Sequence, residues 1–307
     1  LLRFLRHAPR DRASGHARGL TLDDYLQTRA YDTAFVDGML LPSLAAICTC
    51  SYAAVRRYPA ETLIDFFTSG SLTQGTWRAR FGADDAIARL LHPCGELICE
   101  ARVATVEAGP EQAVVTDAQG QQRRFDHVIV AAQANQASTL VGHTDTEAAA
   151  WLGQVPYESS EVVVHGDADL VPQSARHAPV HFRVDPAAAG PMANIRLNHI
   201  VPELREAATL YQTWNPLIEP AADQVLGRAR FERPLVTLDS QTAMAQLVAR
   251  QTRQPSRLWF CGSYLMPGIP LLESAAQSAV HVAGRLGVAT PWAARTVPHS
   301  PSQGARP

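Results

Sequence analysis

The stretch from 257 to 287 contains the residues whose types and spacing best suit chemistry. An apolar, strand-like run ends at Gly262, Ser263 follows it, and Glu273 stands at the start of a helix of small residues. A strand that leads through a glycine turn into a helix N-terminus presents free backbone N–H groups to an anion. Small residues along the helix also let a backbone or a flat ring come close. The pattern therefore predicts a site for an anion or a cofactor.

Each of these residues also has an ordinary structural interpretation. An acid such as Glu273 is favoured at a helix N-terminus with or without a ligand. His165 and Asp167 form a second candidate, either as a catalytic pair or as a strand end followed by a turn acid. The second interpretation is the more common use of such a pair, and no catalytic residue is assigned from the sequence.

Arginine and tryptophan side chains give two further candidates. Arg176, Arg183 and Arg196 could receive an acidic head group of a substrate, or form surface salt bridges. Trp77 and Trp214 could line a substrate cavity, or pack in the core. In both cases the structural use is the more frequent one.

Composition narrows the class of protein. The 307-residue chain is 46% hydrophobic and 18% charged, with a formal net charge of −2, which is ordinary for a soluble globular protein. A net charge this close to zero does not indicate a nucleic-acid-binding protein. No apolar run approaches the length of a membrane-spanning helix. The five cysteines are odd in number and lack metal-ligand spacing, so we predict no metal site and a reducing, cytoplasmic location.

Helical, mixed and strand-rich segments alternate along the chain and position these residues. We predict a helical part of a substrate domain over 1–75, a first cofactor-domain segment over 76–145 and an antiparallel-sheet substrate domain over 146–240. A second cofactor-domain segment follows over 241–288, and the proline-containing tail 289–307 is expected to be disordered. The fold class is therefore α/β, or mixed α+β, with two interleaved domains.

Particular strands and helices follow from hydrophobic periodicity. Helices are expected from Thr21, through the apolar positions between 35 and 47, from Pro59, over 84–91 and over 242–252. Strands are expected over 96–107, 113–116, 125–132, 161–165, 181–184, 194–197, 209–214 and 258–261.

The strand, glycine and helix described first resemble the C-terminal FAD-closing motif of the flavin-dependent amine oxidase superfamily. In that family the glycine after the strand contacts the ribityl–pyrophosphate portion, and the helix start points at the flavin pyrimidine edge. The resemblance implies that Gly262, Ser263, Leu272 and Glu273 bind the cofactor. It also makes Val103 the candidate that contacts the adenine.

An ordered set of shorter motifs is similar to the bacterial predicted NAD/FAD-binding protein group of this superfamily, whose members are often associated with cyclopropane-fatty-acid synthase-like proteins. Departures are also present: Leu272-Glu273-Ser274 replaces a His-Glu-Asp triplet, Ser263 replaces an acid, and Gly82-Ala83 replaces Gly-Gly. The set comprises the stretches 22–26, 41–47, 58–67, 165–172 and 214–217.

The family begins with a strand and a Gly-x-Gly-x-x-Gly turn, and that fingerprint does not occur in these 307 residues. We therefore expect an N-terminally truncated chain whose FAD-binding, Rossmann-like domain is incomplete at its N-terminus. It would be interleaved with a substrate domain of helices and an antiparallel sheet.

The resemblance implies an FAD-dependent oxidoreductase that transfers a hydride from an apolar or lipid-like substrate to the flavin. A lipid-like substrate would also make peripheral contact with a membrane surface possible. All 27 basic residues are arginine, so no lysine of this sequence can serve as the proton relay of a true amine oxidase. The alternative is a truncated, non-catalytic remnant, or a partner-dependent subunit without FAD. The substrate, electron acceptor and oligomeric state are not given by the sequence.

Overall fold

Helices make up the first part of the chain, as their apolar spacing predicts. The computed structural model describes residues 1–69, 79–253 and 256–290. The opening helices are α1 (Leu2–Ser14), α2 (Leu22–Thr28), α3 (Thr33–Phe35), α4 (Leu41–Cys48), α5 (Tyr52–Arg56) and α6 (Ala60–Thr68).

Local side chains set where these helices begin. The Thr21 hydroxyl accepts a hydrogen bond from the Asp24 N–H, and the Asp24 carboxylate accepts one from the Thr21 N–H, which is a capping box. The helix predicted through 35–47 is interrupted by a π-type turn at Val36–Leu40. The N–H of Leu41 bonds to the carbonyl of Val36, and Pro42, which follows, has no N–H to donate.

The middle of the chain forms a small three-stranded sheet and then two helices. Helix α7 (Gly82–Leu91) precedes strands β1 (Val103–Ala108), β2 (Ala113–Asp117) and β3 (Gln122–Phe125), which pair in antiparallel order β1-β2-β3. Strand β4 (Val128–Val130) and helices α8 (Ala134–Val141) and α9 (Thr146–Leu152) follow.

The next segment forms a five-stranded antiparallel sheet; an antiparallel sheet was predicted here, although its last strand along the chain was not. It contains β5 (Tyr157–His165), β6 (Val180–Arg183), β7 (Met192–Arg196), β8 (Tyr211–Trp214) and β9 (Val225–Pro234), in the order β6-β7-β8-β5-β9. The short helix α10 (Leu197–Ile200) continues from β7.

The final elements return to the middle of the chain. Helix α11 (Leu238–Arg253) leads to β10 (Leu258–Phe260) and α12 (Leu272–Arg285). Strand β10 pairs in parallel with β4, with Trp259 opposite Ile129. Mixed α/β architecture with interleaved segments is therefore confirmed, whereas the exact domain boundaries stay a prediction.

Two strand predictions were wrong in extent, for backbone reasons. The strand expected over 96–107 begins only at Val103, because Glu100 and Arg102 adopt φ values of 57° and 48°, which extended backbone does not allow. The strand expected over 125–132 is divided, since Phe125 ends β3 and Val128 begins β4 in another sheet. Trp77 and residues 291–307 of the predicted tail lie outside the described residues.

Two main hydrophobic cores hold the layers together. The first joins α1–α6 to Leu235, Val236 and Ile269 from the last third of the chain. The second joins β1, β4, β10 and helices α8, α9 and α11, with Phe260 fully buried. Burying one such large apolar side chain stabilises a fold by about 1.5–3 kcal/mol. Among the residues described, no helix combines the length and apolar character needed to cross a membrane.

Candidate functional site

A cleft of about 680 Å³ opens between one face of the five-stranded sheet and the start of α12. Successive residues of a strand point to opposite faces, so β5 to β8 contribute every second side chain to the cleft, whereas the end of β9 borders it with the consecutive residues 231–234. Trp214 of β8 lies opposite Val162 of β5 and Ala193 of β7 in the strand register. These three residues and other apolar groups make the sheet wall apolar; the others are Val180, Phe182, Ile195 and Phe231.

The opposite wall comes from the segment predicted to bind a cofactor. Ser263, which follows β10, and Leu272, the first residue of α12, both line the cleft. The structure therefore brings two of the predicted cofactor residues to the same cavity as Trp214. Trp214 is 7% exposed, so it packs in the sheet and also forms part of the cleft lining, and a role towards a substrate stays a prediction.

The backbone of Gly262, at the end of β10, is packed closely against Tyr264 and Ser278. Its N–H donates to the Ser278 hydroxyl of α12 at 3.0 Å. A Cβ at this position would lie 2.5 Å from Cε1 of Tyr264, whose ring is 8% exposed. The Tyr264 hydroxyl donates to the Ala132 carbonyl at 3.2 Å, so the ring is fixed at both ends. Only glycine fits this packing.

The N-terminus of α12 carries no side-chain cap, because Leu271 stands at the capping position. Leu272 is 87% exposed. Glu273 is exposed and accepts a hydrogen bond from Gln277 at 2.8 Å, which is an ordinary contact one helical turn away. The helix start therefore offers uncapped backbone N–H groups at the cleft, and Glu273 itself does not line it.

Val103 lies elsewhere. It is 39% exposed and lines a second cavity of about 680 Å³, formed by the three-stranded sheet and β4. The strand pair β4–β10 connects the two places, since Ile129 of β4 lines the second cavity and β10 leads to Gly262. The structure thus does not place Val103 beside the other candidates, and its role stays a prediction.

His165 and Asp167 do not face the cleft. His165 is fully buried on the other side of the sheet, where its Nε2 lies 2.7 Å from Oγ1 of Thr213. Thr213 donates to Oδ1 of Asn194 at 2.6 Å, so the histidine Nε2–H must be the donor to Thr213. Asp167 accepts the N–H groups of Asp169 and Ala221. The geometry favours the interpretation as a strand end with a turn acid.

Burial of this histidine predicts a pH dependence of stability. Desolvation lowers the pKa of His165 below its ordinary 6.5, although Asp167 acts in the opposite direction. Below about pH 6.5 the unfolded chain therefore binds more protons than the folded chain, and stability falls as pH falls towards the depressed pKa. Urea unfolding between about pH 7 and pH 5 should show this loss.

The loss should be smaller in His165→Gln, which cannot titrate, and unchanged in the exposed control His143→Gln. Burial, and then Arg183, also lowers the pKa of His181, so the double variant with His181→Gln should flatten the profile further. If the loss of stability in His165→Gln and in the double variant equals that of the unchanged chain, the assignment is contradicted.

The three arginines singled out from the sequence are likewise not in the cleft. Arg176 pairs with Asp169 at 2.8 Å, and Arg196 donates to the Arg176 carbonyl at 2.7 Å. Arg183 is exposed on the edge strand β6. These contacts agree with the surface salt-bridge and packing interpretation.

A different arginine lines the cleft, and the sequence interpretation missed it. Arg233 lies near the end of β9, a strand that was not predicted. The alternation of apolar Ala229 and Phe231 with charged residues at 228, 230 and 232 was the available signal. A third, smaller cavity of about 380 Å³ lies behind the loop, and Ser263 and Pro270 line both it and the cleft.

The sequence matches no protein-family model and no curated protein at a significant level. Solved structures do share the fold. A CLA-producing fatty acid isomerase from P. acnes aligns with TM-score 0.55 at 10% identity over 88% of this chain and 67% of its own. Cyclohexylamine oxidase from Brevibacterium oxydans aligns with TM-score 0.57 at 11% identity, over 87% and 68%.

A double mutant of putrescine oxidase, redesigned at its cofactor site, gives TM-score 0.59 at 11% identity over 87% and 67%. The chain thus spans about two thirds of the length of these structures. At such identities the likeness shows the fold alone, which this chain shares with these enzymes.

Proposed function

We propose that this chain forms the cofactor-closing and substrate-binding parts of an FAD-dependent oxidoreductase that acts on an apolar or lipid-like substrate. The observation that carries the proposal is one cleft with two unlike walls. The sheet provides an apolar wall, and Ser263 and Leu272 provide the wall expected at the flavin.

The residues present fit a flavin at this end of the cofactor. Uncapped N–H groups at the start of α12 complement the negative charge that gathers on the pyrimidine edge of a reduced flavin. A bound flavin would supply the two-electron acceptor, while the protein orients the substrate and excludes water. The turn that binds pyrophosphate in this superfamily is not in the sequence, so our proposal for this chain concerns the flavin and adenine ends.

An apolar substrate suits the cleft better than an amine does. Seven apolar side chains of the sheet line the wall, and none of the 307 residues is a lysine that could relay a proton. We also propose that the chain belongs to the predicted NAD/FAD-binding protein group that is associated with cyclopropane-fatty-acid synthase-like proteins. An enzyme that acts on lipid chains needs an apolar wall of this kind. This second proposal is supported by the cleft and by the ordered motifs alone.

Reconstitution with FAD tests the proposal. The purified chain, incubated with FAD and then desalted, should keep a visible flavin absorbance band. Leu272→Asp places a negative charge at the helix start, so reduced flavin should bind at least about fivefold more weakly. The matched control is Leu226→Asp, since Leu226 is also exposed but lies outside the cleft.

A chain that stays colourless after this treatment contradicts the proposal. It would favour the alternative in which the fold is a remnant, or works only with a partner. If Leu272→Asp and Leu226→Asp change flavin affinity equally, the chain still binds flavin, but the start of α12 is not part of the binding site.

A further inference from the structure

We infer that the cleft accepts an amphiphilic acid, with Arg233 binding the carboxylate and the sheet face binding the apolar chain; the inference rests on the proposed function for the cleft as the substrate site. Arg233 is the only cation among the described residues that line this cavity. It projects from the same face of β9 as Phe231.

The guanidinium of Arg233 is held by two neutral acceptors. Its Nη1 donates to Oγ1 of Thr49 at 2.6 Å, and its Nη2 donates to the carbonyl of Pro270 at 3.3 Å. Thr49 and Pro270 line the cleft as well. A guanidinium has five N–H donors in a planar fork, so these two bonds fix its orientation and leave donors for a ligand.

No carboxylate of the described residues forms an ion pair with Arg233. Glu158 stands opposite it in the register of β5 and β9, but its carboxylate accepts the N–H of Ser51 at 2.7 Å. The neighbouring Glu232 also borders the cleft, but its carboxylate is directed to the other face of β9, where it accepts a hydrogen bond from Asn135 at 3.3 Å. The charge of Arg233 is thus available to an anion that enters the cleft.

The rest of the cleft defines what must be attached to that anion. Apart from Thr49, Ser160, Gln212, Ser263 and the charged pair of neighbours Glu232 and Arg233, its lining is aliphatic or aromatic. A ligand with a carboxylate and an apolar chain would match both parts. An amine of the same length would place a cation beside Arg233, and an alcohol would form a weaker, uncharged hydrogen bond.

Calorimetric titration with three probes of equal chain length tests the inference: dodecanoate, dodecan-1-ol and dodecylamine. We expect dodecanoate to bind at least about tenfold more tightly than the alcohol, with the amine weakest. In Arg233→Gln the affinity for dodecanoate should fall by about ten- to a hundredfold, while the affinity for the alcohol should not change.

Two further variants keep the test decisive. Arg233→Lys retains the charge but not the fork, so it should keep part of the preference for the acid. Arg230→Gln removes an arginine from the opposite face of the same strand and should behave as the unchanged chain. Should Arg233→Gln fail to fold, the acid-to-alcohol ratio of the unchanged chain and of Arg233→Lys still decides.

Equal binding of acid and alcohol to the unchanged chain would overturn the inference, as would no binding of either. Parallel loss of both ligands in a folded Arg233→Gln would also overturn it, because that result makes Arg233 a structural contact. Since the titration needs no flavin, its failure is separable from failure of the proposed function. A flavin-free chain that prefers the acid supports the inference alone.

Discussion

Replacing Gly262 with alanine is expected to destabilise the chain by about 1–3 kcal/mol. The added Cβ would lie 2.5 Å from the Tyr264 ring, which cannot turn aside because it is buried and its hydroxyl is bonded to Ala132. Relief therefore requires movement of β10 or the loop after it. Because that loop carries Ser263, flavin retention should fall together with stability. Urea unfolding and desalting after incubation with FAD measure the two effects.

A matched glycine in α12 provides the control. No atom lies within 4 Å of a Cβ built at Gly284, so Gly284→Ala should be neutral, or stabilising by up to about 1 kcal/mol. Repeating Gly262→Ala in a Tyr264→Leu background tests the cause. If alanine at 262 costs as much there as beside tyrosine, the clash with the ring is not the reason.

The second large effect is expected at Asp11 in the helical layer. Asp11 is 5% exposed, accepts the Tyr25 hydroxyl at 2.8 Å and pairs with Arg29. Asp11→Ala would leave a buried hydroxyl and a guanidinium without their acceptor, and we expect a loss of about 3 kcal/mol. This value is at the lower end of the roughly 3–5 kcal/mol expected when a buried ion pair is broken, because the Arg29 side chain is 33% exposed.

Asp65→Ala is the corresponding surface change. Asp65 pairs with Arg12 at 2.9 Å, but its side chain is 52% exposed, so its loss should cost roughly 0–1 kcal/mol. Thermal or urea unfolding of both variants measures the contrast. Asp11→Asn should recover part of the loss, since its amide oxygen still accepts from Tyr25. Similar costs for Asp11→Ala and Asp65→Ala would show that burial of the pair does not matter.

The sequence predicts those parts of this fold that depend on neighbouring residues. The capping box at Thr21 is one example, since both partners lie within one turn. The run 258–260 and the helix after it were also predicted, because their apolar periodicity is strong and bounded by glycine and proline. A fold with an antiparallel sheet followed from the short strand-like stretches between 161 and 214, which are rich in β-branched and aromatic residues.

The cleft itself could not be predicted, because it depends on contacts between distant segments. Strand β9 was missed, since its residues 228, 230, 232 and 233 are charged and the strand is mostly exposed. Its pairing with all of β5 supplies much of its stability, and pairing over some seventy residues leaves no local pattern. Without β9, nothing in the sequence indicated that Arg233 would meet Thr49 and Pro270.

The helical layer has a consequence for how the chain folds during synthesis. Its core is closed by Leu235, Val236 and Ile269, although the last of its own helices, α6, ends at Thr68. Contacts so distant in sequence form late and slow folding, because loop closure precedes any gain from burial. At ordinary rates of translation, the layer would wait roughly ten to forty seconds for Ile269. During that interval its apolar surface is open to chaperones and to other nascent chains.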